Sequence, residues 1–363
     1  MKRVTVIFLS LAALFMTGCQ EKESQAVQTS IADVETIEWK LVTSWPKNFP
    51  GLGMAPERFA KLVDEMSAGR LKINVYGAGE LMPAFEVFDA VSQGTVQMGH
   101  SAAYYWKGKT PAAQFFTSIP FGLNAQEMNG WLHYGGGLEL WEEVYEPFGI
   151  KPLAGGNTGV QMGGWFNKEI NSMEDLKGLK MRLPGLGGEV LKRVGGVPVT
   201  LPGRELYTAL QTGAIDATEW VGPFNDLAFG LHKAAKFYYY PGWHEPGSTL
   251  EFLINKEAFA TLPADLQSII TVAARAINQD MLDEYTSKHI IALESLINEH
   301  GVIIKPYPDE VMSELGRVSK VVIKEQSVKD ATMEKVYKAY MEYEAGVRKY
   351  HKISEDAYSR IRE

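Results

Sequence analysis

A stretch of sixteen residues in this chain recurs farther along it. EVFDAVSQGTVQMGHS (86–101) and ELYTALQTGAIDATEW (205–220) align at an offset of 119 positions. Glu86 meets Glu205, Phe88 meets Tyr207, Ala90 meets Ala209, Gly94 meets Gly213 and Val96 meets Ile215. Each copy reads as a helix, a glycine stop and a short strand. Such units are common, but the shared Glu-x-aromatic-x-Ala opening favours a true repeat. Two lobes built on one plan are then expected, with facing strand ends that form a cleft. The strand ends align as well: His100 with Glu219, and Ser101 with Trp220. Sites are built where strands give way to turns. Glu219, a lone acid beside a tryptophan, is therefore a candidate functional residue.

The rest of the chain fits layered α/β structure. IEWKLVTSW (37–45) reads as a first strand. Phe59, Leu62, Val63 and Met66 recur at helical spacing over 55–67, and Gly69 closes that helix. LKINVYG (71–77) alternates as a second strand, and TLEFLINKEA (249–258) reads as a strand returning to the first lobe. Pro263 opens a long helix over 264–299 that Gly301 ends and that straddles both lobes. GVIIKPYP (301–308) is a strand, and the tail over 309–363 is helical, with Val328, Tyr337, Tyr340, Met341 and Val347 apolar among many charges. The expected division is lobe one at 37–158 and 250–363, and lobe two at 159–249.

The start of the chain has a different purpose. Lys2 and Arg3 precede a 13-residue apolar run at 4–16, too short for a good membrane span, followed by Thr17, Gly18 and Cys19. MTGC resembles a bacterial lipobox, so residues 1–19 read as a lipoprotein signal, with lipid on Cys19 holding the protein at a membrane. A plain secretory signal is the alternative. Cys19 is the only cysteine, so the body has no disulfide framework and no cysteine-based metal site. Residues 20–36 are polar and read as a tether. No later run of about 18 apolar residues occurs, which points to a soluble body. A net charge of −8 gives no general basic field for nucleic acid.

Enzyme motifs are missing. The seven histidines include no His-Glu-x-x-His, and there is no Gly-x-Ser-x-Gly and no phosphate-binding loop. GLGGEV (185–190) is glycine-rich but lacks the strand context of a dinucleotide fingerprint. The sequence leans toward binding without chemistry.

The stretch KMRLPGLGGEVLKRVGGVPVTLPGRELYTALQTGAIDATEW (180–220) resembles the DctP-type solute-binding proteins of TRAP transporters. MRLPG, GGVPVTLP, the Glu-Leu-Tyr-x-Ala-Leu helix and the Gly-x-Ile-Asp-Ala strand carry the likeness, which extends over about 37–350. Gln161 in GNTGVQMGGW, Arg182 and the pair Glu219-Trp220 resemble the members that bind 2-oxo acids or lactate with a cation. The resemblance implies an α/β, two-lobed periplasmic-binding-protein-like fold with long C-terminal helices. It implies capture of a small 2-oxo or 2-hydroxy monocarboxylate and delivery to the small and large TRAP membrane subunits, from the periplasm or cell surface.

The site implied by that resemblance is specific. Arg182 clamps the ligand carboxylate, for which a guanidinium offers two parallel donors. Gln161, Glu219 and the main-chain carbonyl of Trp220 hold Na⁺ or Ca²⁺, and hard cations suit oxygen donors. Glu245 in GWHEPGS is a further candidate cation ligand. Trp220 also supplies an apolar wall, while Tyr104 and Tyr105 cover the ligand from lobe one. Asn157 is a candidate donor to a keto or hydroxyl oxygen, and Phe49 and Pro50 line the cleft. Arg182, Glu219 and a monocarboxylate sum to one negative charge, which a monovalent cation cancels. A bare Arg182–Glu219 pair without metal stays open at this point. So do a sensor that presents ligand to a receptor, a dicarboxylate-binding member, a metal-dependent lyase on oxo acids, and a homodimer through the C-terminal helices.

Overall fold

A computed structural model describes residues 36–362. The signal segment with Cys19 and the tether up to residue 35 lie outside the described residues. Among the described residues, no helix is long and apolar enough to cross a membrane.

Among the described residues, eleven strands form two sheets. In chain order they are β1 (Ile37–Thr43), β2 (Leu71–Tyr76), β3 (Met98–Ser101), β4 (Ile150–Asn157), β5 (Gly164–Phe166), β6 (Lys180–Arg182), β7 (Val197–Val199), β8 (Ala217–Thr218), β9 (Phe237–Tyr240), β10 (Thr249–Asn255) and β11 (Ile303–Pro306). The first sheet runs β2-β1-β3-β10-β4, and the second runs β11-β9-β5-β8-β6-β7.

The two sheets share one plan. β1 lies parallel to β2 and β3, and β10 pairs antiparallel with β3 and β4. In the second sheet, β6 lies parallel to β7 and β8, and β5 pairs antiparallel with β8 and β9. The helices Val87–Ser92 and Leu206–Gln211 occupy equivalent places, and both are followed by a left-handed glycine, Gly94 at φ 71° and Gly213 at φ 72°. Only glycine takes that backbone without a Cβ penalty, which is why the stop recurs in the sequence.

Burial follows position in the sheet. Edge strand β2 alternates, with Leu71, Ile73 and Val75 inward and Lys72 and Asn74 outward. Central strand β10 is buried at every position, and its polar residues Thr249, Glu251 and Asn255 are buried with Leu250, Phe252, Leu253 and Ile254. It stops at Asn255, whose side chain caps the helix Lys256–Thr261, so the strand is shorter than expected.

The helix Ala264–Asn298 packs on β4, on Met54–Met66 and on Pro223–Phe229, and so touches elements of both sheets. The tail forms three helices, Asp309–Ser327, Ala331–His351 and Glu355–Ile361. One expectation is corrected here. β11 joins the second sheet beside β9, and Val311, Leu315, Val318 and Val322 of the next helix share a core with Phe166, Met181 and Leu191. The stretch from Ile303 to Ser327 therefore packs with the second sheet, whereas Ala331–His351 packs against Ala125–Tyr134 beside the first.

Candidate functional site

Strand register builds the centre of the site. Arg182, the last residue of β6, is paired with Thr218 of parallel β8, and Glu219 follows at once. Both side chains are buried, and Arg182 Nη1 donates to Glu219 Oε1. Arg182 Nη2 donates to Tyr105 Oη at 3.0 Å, Nε donates to the Leu201 carbonyl at 3.3 Å, and the guanidinium lies 5.0 Å from the Trp220 ring centre. Burial acts to lower the Arg182 pKa, but Glu219 and the two tyrosines outweigh it and the net direction is upward. A buried ion pair is weak evidence for stability, since desolvation offsets much of its attraction. A buried charge pair of this kind is a functional-site candidate on physical grounds.

The segment after β9 supplies the other wall. Glu245 N donates to the Gly242 carbonyl at 3.1 Å, so the chain turns there. Gly242 sits so close to Gln161 that a Cβ would lie 2.5 Å from the Gln161 carbonyl oxygen. Gln161 Nε2 donates to Glu245 Oε2 at 2.8 Å and to Thr158 Oγ1 at 3.2 Å, and Ser248 Oγ donates to the same Glu245 oxygen. Burial, and then the charge of Glu219, push the Glu245 carboxyl up to about 8. Burial likewise raises Tyr104 and Tyr105.

Four buried groups here have no hydrogen-bond partner: Gln161 Oε1, Glu219 Oε2, Trp220 Nε1 and both ring nitrogens of His244. Buried polar atoms are nearly always hydrogen-bonded, so a cluster of orphans is a place that an ion, a water or a ligand group would satisfy. Glu219, His244 and Glu245 each offer a donor atom, and these lie within 4.8 Å of one another. The oxygen-rich set fits a hard cation. Glu245 adds a second carboxyl that the sequence-based charge sum left out.

A small cavity of about 10 Å³ adjoins this corner, lined by Trp45, Tyr104, Tyr105, Gln161, Trp220 and Glu245 among others. Trp45 meets Trp220 edge-on at 5.9 Å across it. Among the described residues lining the cavity there is no lysine and no arginine. Arg182 stands behind Tyr105 and Trp220.

Seven of the eight expected site residues thus come together: Arg182, Gln161, Trp220, Tyr104, Tyr105, Glu219 and Glu245. Asn157 does not join them. Its Nδ2 donates to the Gly247 carbonyl and to Thr249 Oγ1, both at 3.1 Å, and its Oδ1 accepts from Gly159 N at 2.9 Å. Both amide hydrogens are thus used within the crossover segment. Phe49 and Pro50 also fall outside the cavity lining. Phe49 stacks on Phe229 at 4.1 Å, and the Pro50 carbonyl accepts from Asn225 Nδ2 at 2.8 Å, so both join the two halves. His100, the repeat equivalent of Glu219, is a satisfied core histidine. It accepts from Trp45 Nε1 at 2.8 Å, sits 3.0 Å from the Gly155 carbonyl, and burial lowers its pKa to about 4. Trp45, Ser248 and His244 were missed, although His244 adjoins Glu245 in the sequence.

Comparison with known proteins identifies the family. The sequence pattern of the DctP family, bacterial extracellular solute-binding protein family 7, matches residues 41–330. The chain is 44% identical to the monocarboxylate 2-oxoacid-binding periplasmic protein of Nostoc sp. strain PCC 7120, over 96% of this chain and 95% of the relative. It is similar to the TRAP periplasmic solute-binding protein of Pseudoalteromonas atlantica, solved with bound sodium and pyruvate. That match has 46% identity, a TM-score of 0.87, and coverage of 90% of this chain and 99% of that one. The corresponding protein of Colwellia psychrerythraea, solved with bound calcium and pyruvate, gives the same identity, TM-score and coverage.

Proposed function

This chain belongs to the DctP family of bacterial extracellular solute-binding proteins, and from that premise we propose that its cleft captures a small 2-oxo monocarboxylate of the pyruvate class with a cation. It is the periplasmic solute-binding component of a TRAP transporter, a family of binding proteins and not of enzymes. The observation that carries the ligand reading is the buried corner where Gln161 Oε1 and Glu219 Oε2 lack donors beside the Arg182 guanidinium. Orphan oxygens suit a cation, and a guanidinium suits a carboxylate. The relatives solved with pyruvate and sodium or calcium support the same pairing.

Each residue has a part in this reading. Arg182 binds the ligand carboxylate while Tyr105 and Leu201 hold its fork in place. Gln161, Glu219, Glu245 and the Trp220 carbonyl hold the cation, which when bound neutralises carboxylate charge and polarises the 2-oxo oxygen. Tyr104, Trp45 and Trp220 exclude water from the ligand's apolar end. Closure is favoured only as far as ligand and cation bind the closed state better than the open one. With Arg182 behind the cavity wall and no lysine or arginine among the lining residues, a second carboxylate would find no cationic side chain there, which argues against a dicarboxylate.

Residues 37–158 with 250–302 and the last helices are assigned to lobe one, and 159–249 with 303–327 to lobe two. Anchoring by lipid on Cys19, docking on the two membrane subunits and pairing of two copies through the exposed Tyr350, Ile353, Tyr358 and Ile361 complete the proposal. The binding chemistry would serve a receptor-coupled sensor equally well.

Thermal unfolding of the purified, ligand-stripped protein tests the ligand class. Pyruvate, longer 2-oxo acids, lactate and C4-dicarboxylates are each tried with Na⁺, with Ca²⁺ and with chelator in Na⁺-free buffer. A ligand at 100 times its Kd stabilises by about 2.7 kcal/mol. Stabilisation by dicarboxylates alone, indifferent to cations, would overturn the reading.

A further inference from the structure

We propose that His244 is a further ligand of the cation, which lets the site take a transition-series divalent ion such as Mn²⁺, Co²⁺ or Zn²⁺ besides Na⁺ and Ca²⁺. This rests on reading the cleft as a cation site. His244 is 2% exposed, and neither ring nitrogen has a hydrogen-bond partner. Its Nε2 lies 3.8 Å from Glu219 Oε2. That is too long for a hydrogen bond. It is within the span of two donors on one ion, which at about 2.0–2.2 Å each can be up to about 4.4 Å apart. The donors of Glu219, His244 and Glu245 lie within 4.8 Å of one another, so a contraction of a few tenths of an ångström would bring all three onto one ion.

The imidazole is also held in place. Trp243 meets it edge-on at 5.5 Å, and Gly187 leaves so little room that a Cβ there would come within 3.0 Å of His244 Cβ. Carboxylate and amide oxygens alone suit sodium, calcium and magnesium, whereas imidazole suits zinc, copper, iron and nickel. One nitrogen among oxygens makes a mixed set, with affinity rising from manganese through cobalt along the divalent series. A 2-oxo acid, which presents a carboxylate and a keto oxygen side by side, is a natural co-ligand for such ions.

His232 and His300, whose rings lie 4.2 Å apart, are an alternative place for metal, so the test must depend on pyruvate. The chelator-stripped wild-type protein is loaded with Mn²⁺ and examined by pulsed electron paramagnetic resonance with and without pyruvate. The expected result is imidazole nitrogen modulation that requires pyruvate. In His244→Gln, the ratio of Co²⁺ to Ca²⁺ affinity in the presence of pyruvate is expected to fall at least tenfold. Pyruvate binding with calcium but no nitrogen modulation from Mn²⁺ would overturn the inference and leave the proposed function standing. An unchanged affinity ratio in His244→Gln would also overturn it. If that variant does not fold, the wild-type spectrum decides alone. Failure of pyruvate to bind with any cation would overturn both readings.

Discussion

Replacing Arg182 by lysine separates the geometry of the clamp from its charge. Arg182 is 1% exposed and donates to Glu219, to Tyr105 at 3.0 Å and to the Leu201 carbonyl at 3.3 Å. Alanine would leave Glu219 buried without its partner, a loss of about 3–5 kcal/mol that would confuse folding with binding. Lysine keeps the positive charge but offers a point where the carboxylate needs a fork. Loss of one charge-assisted hydrogen bond to the ligand costs about 1.5–3 kcal/mol. That corresponds to a Kd for pyruvate raised roughly 10- to 150-fold. Titration calorimetry in saturating calcium reads the Kd, and thermal unfolding without ligand checks the fold. A folded Arg182→Lys protein whose pyruvate Kd stays within about threefold of wild type would refute the clamp.

Three other perturbations probe the rest of the account. Glu219→Gln keeps the shape but removes a charged cation ligand, so the stimulation of pyruvate binding by calcium should fall at least tenfold in calorimetry. Phe229→Ala removes the 4.1 Å stack on Phe49 that joins the two halves. It should raise the pyruvate dissociation rate in stopped-flow by about 5- to 30-fold, the worth of roughly 1–2 kcal/mol. Glu251 lies on β10, buried under Trp106 and Tyr145, and burial raises its pKa from 4.5 to about 8. The folded state therefore keeps a proton that the unfolded chain has lost. The stability from this group is full below 4.5 and falls as pH rises through about 8. Glu251→Gln should flatten that loss by about 3–5 kcal/mol across the window, read from chemical denaturation at several pH values. An unchanged pH slope would sink that assignment.

The repeat was legible because each of its copies needs a left-handed glycine after a two-turn helix, at Gly94 and Gly213. Glu219 was legible because it stands where a short strand ends, whereas Arg182 was legible only through the family resemblance of the MRLPG segment. What stayed hidden depends on contacts between distant residues. The strand at Ile303–Pro306 was foreseen, but its apolar pattern does not say which sheet edge it joins. An asparagine side chain can face a cleft or hold nearby chain, and both amide hydrogens of Asn157 go to the Gly247 carbonyl and the Thr249 hydroxyl. His244 and Glu245 are neighbours that would point to opposite sides of an extended strand. The turn closed by Glu245 N and the Gly242 carbonyl brings their donor atoms to one corner, which adjacency alone does not reveal. That turn also adds a second carboxyl to the buried corner, so a charge sum over Arg182, Glu219 and ligand was incomplete.

The central claim is that carboxylate and cation are bound together. Calorimetric titration of pyruvate into stripped protein, in sodium-free buffer with chelator and again with excess calcium, measures that coupling directly. The account predicts one pyruvate per chain with calcium and at least a tenfold weaker Kd with chelator. Equal affinity in the two buffers would contradict it.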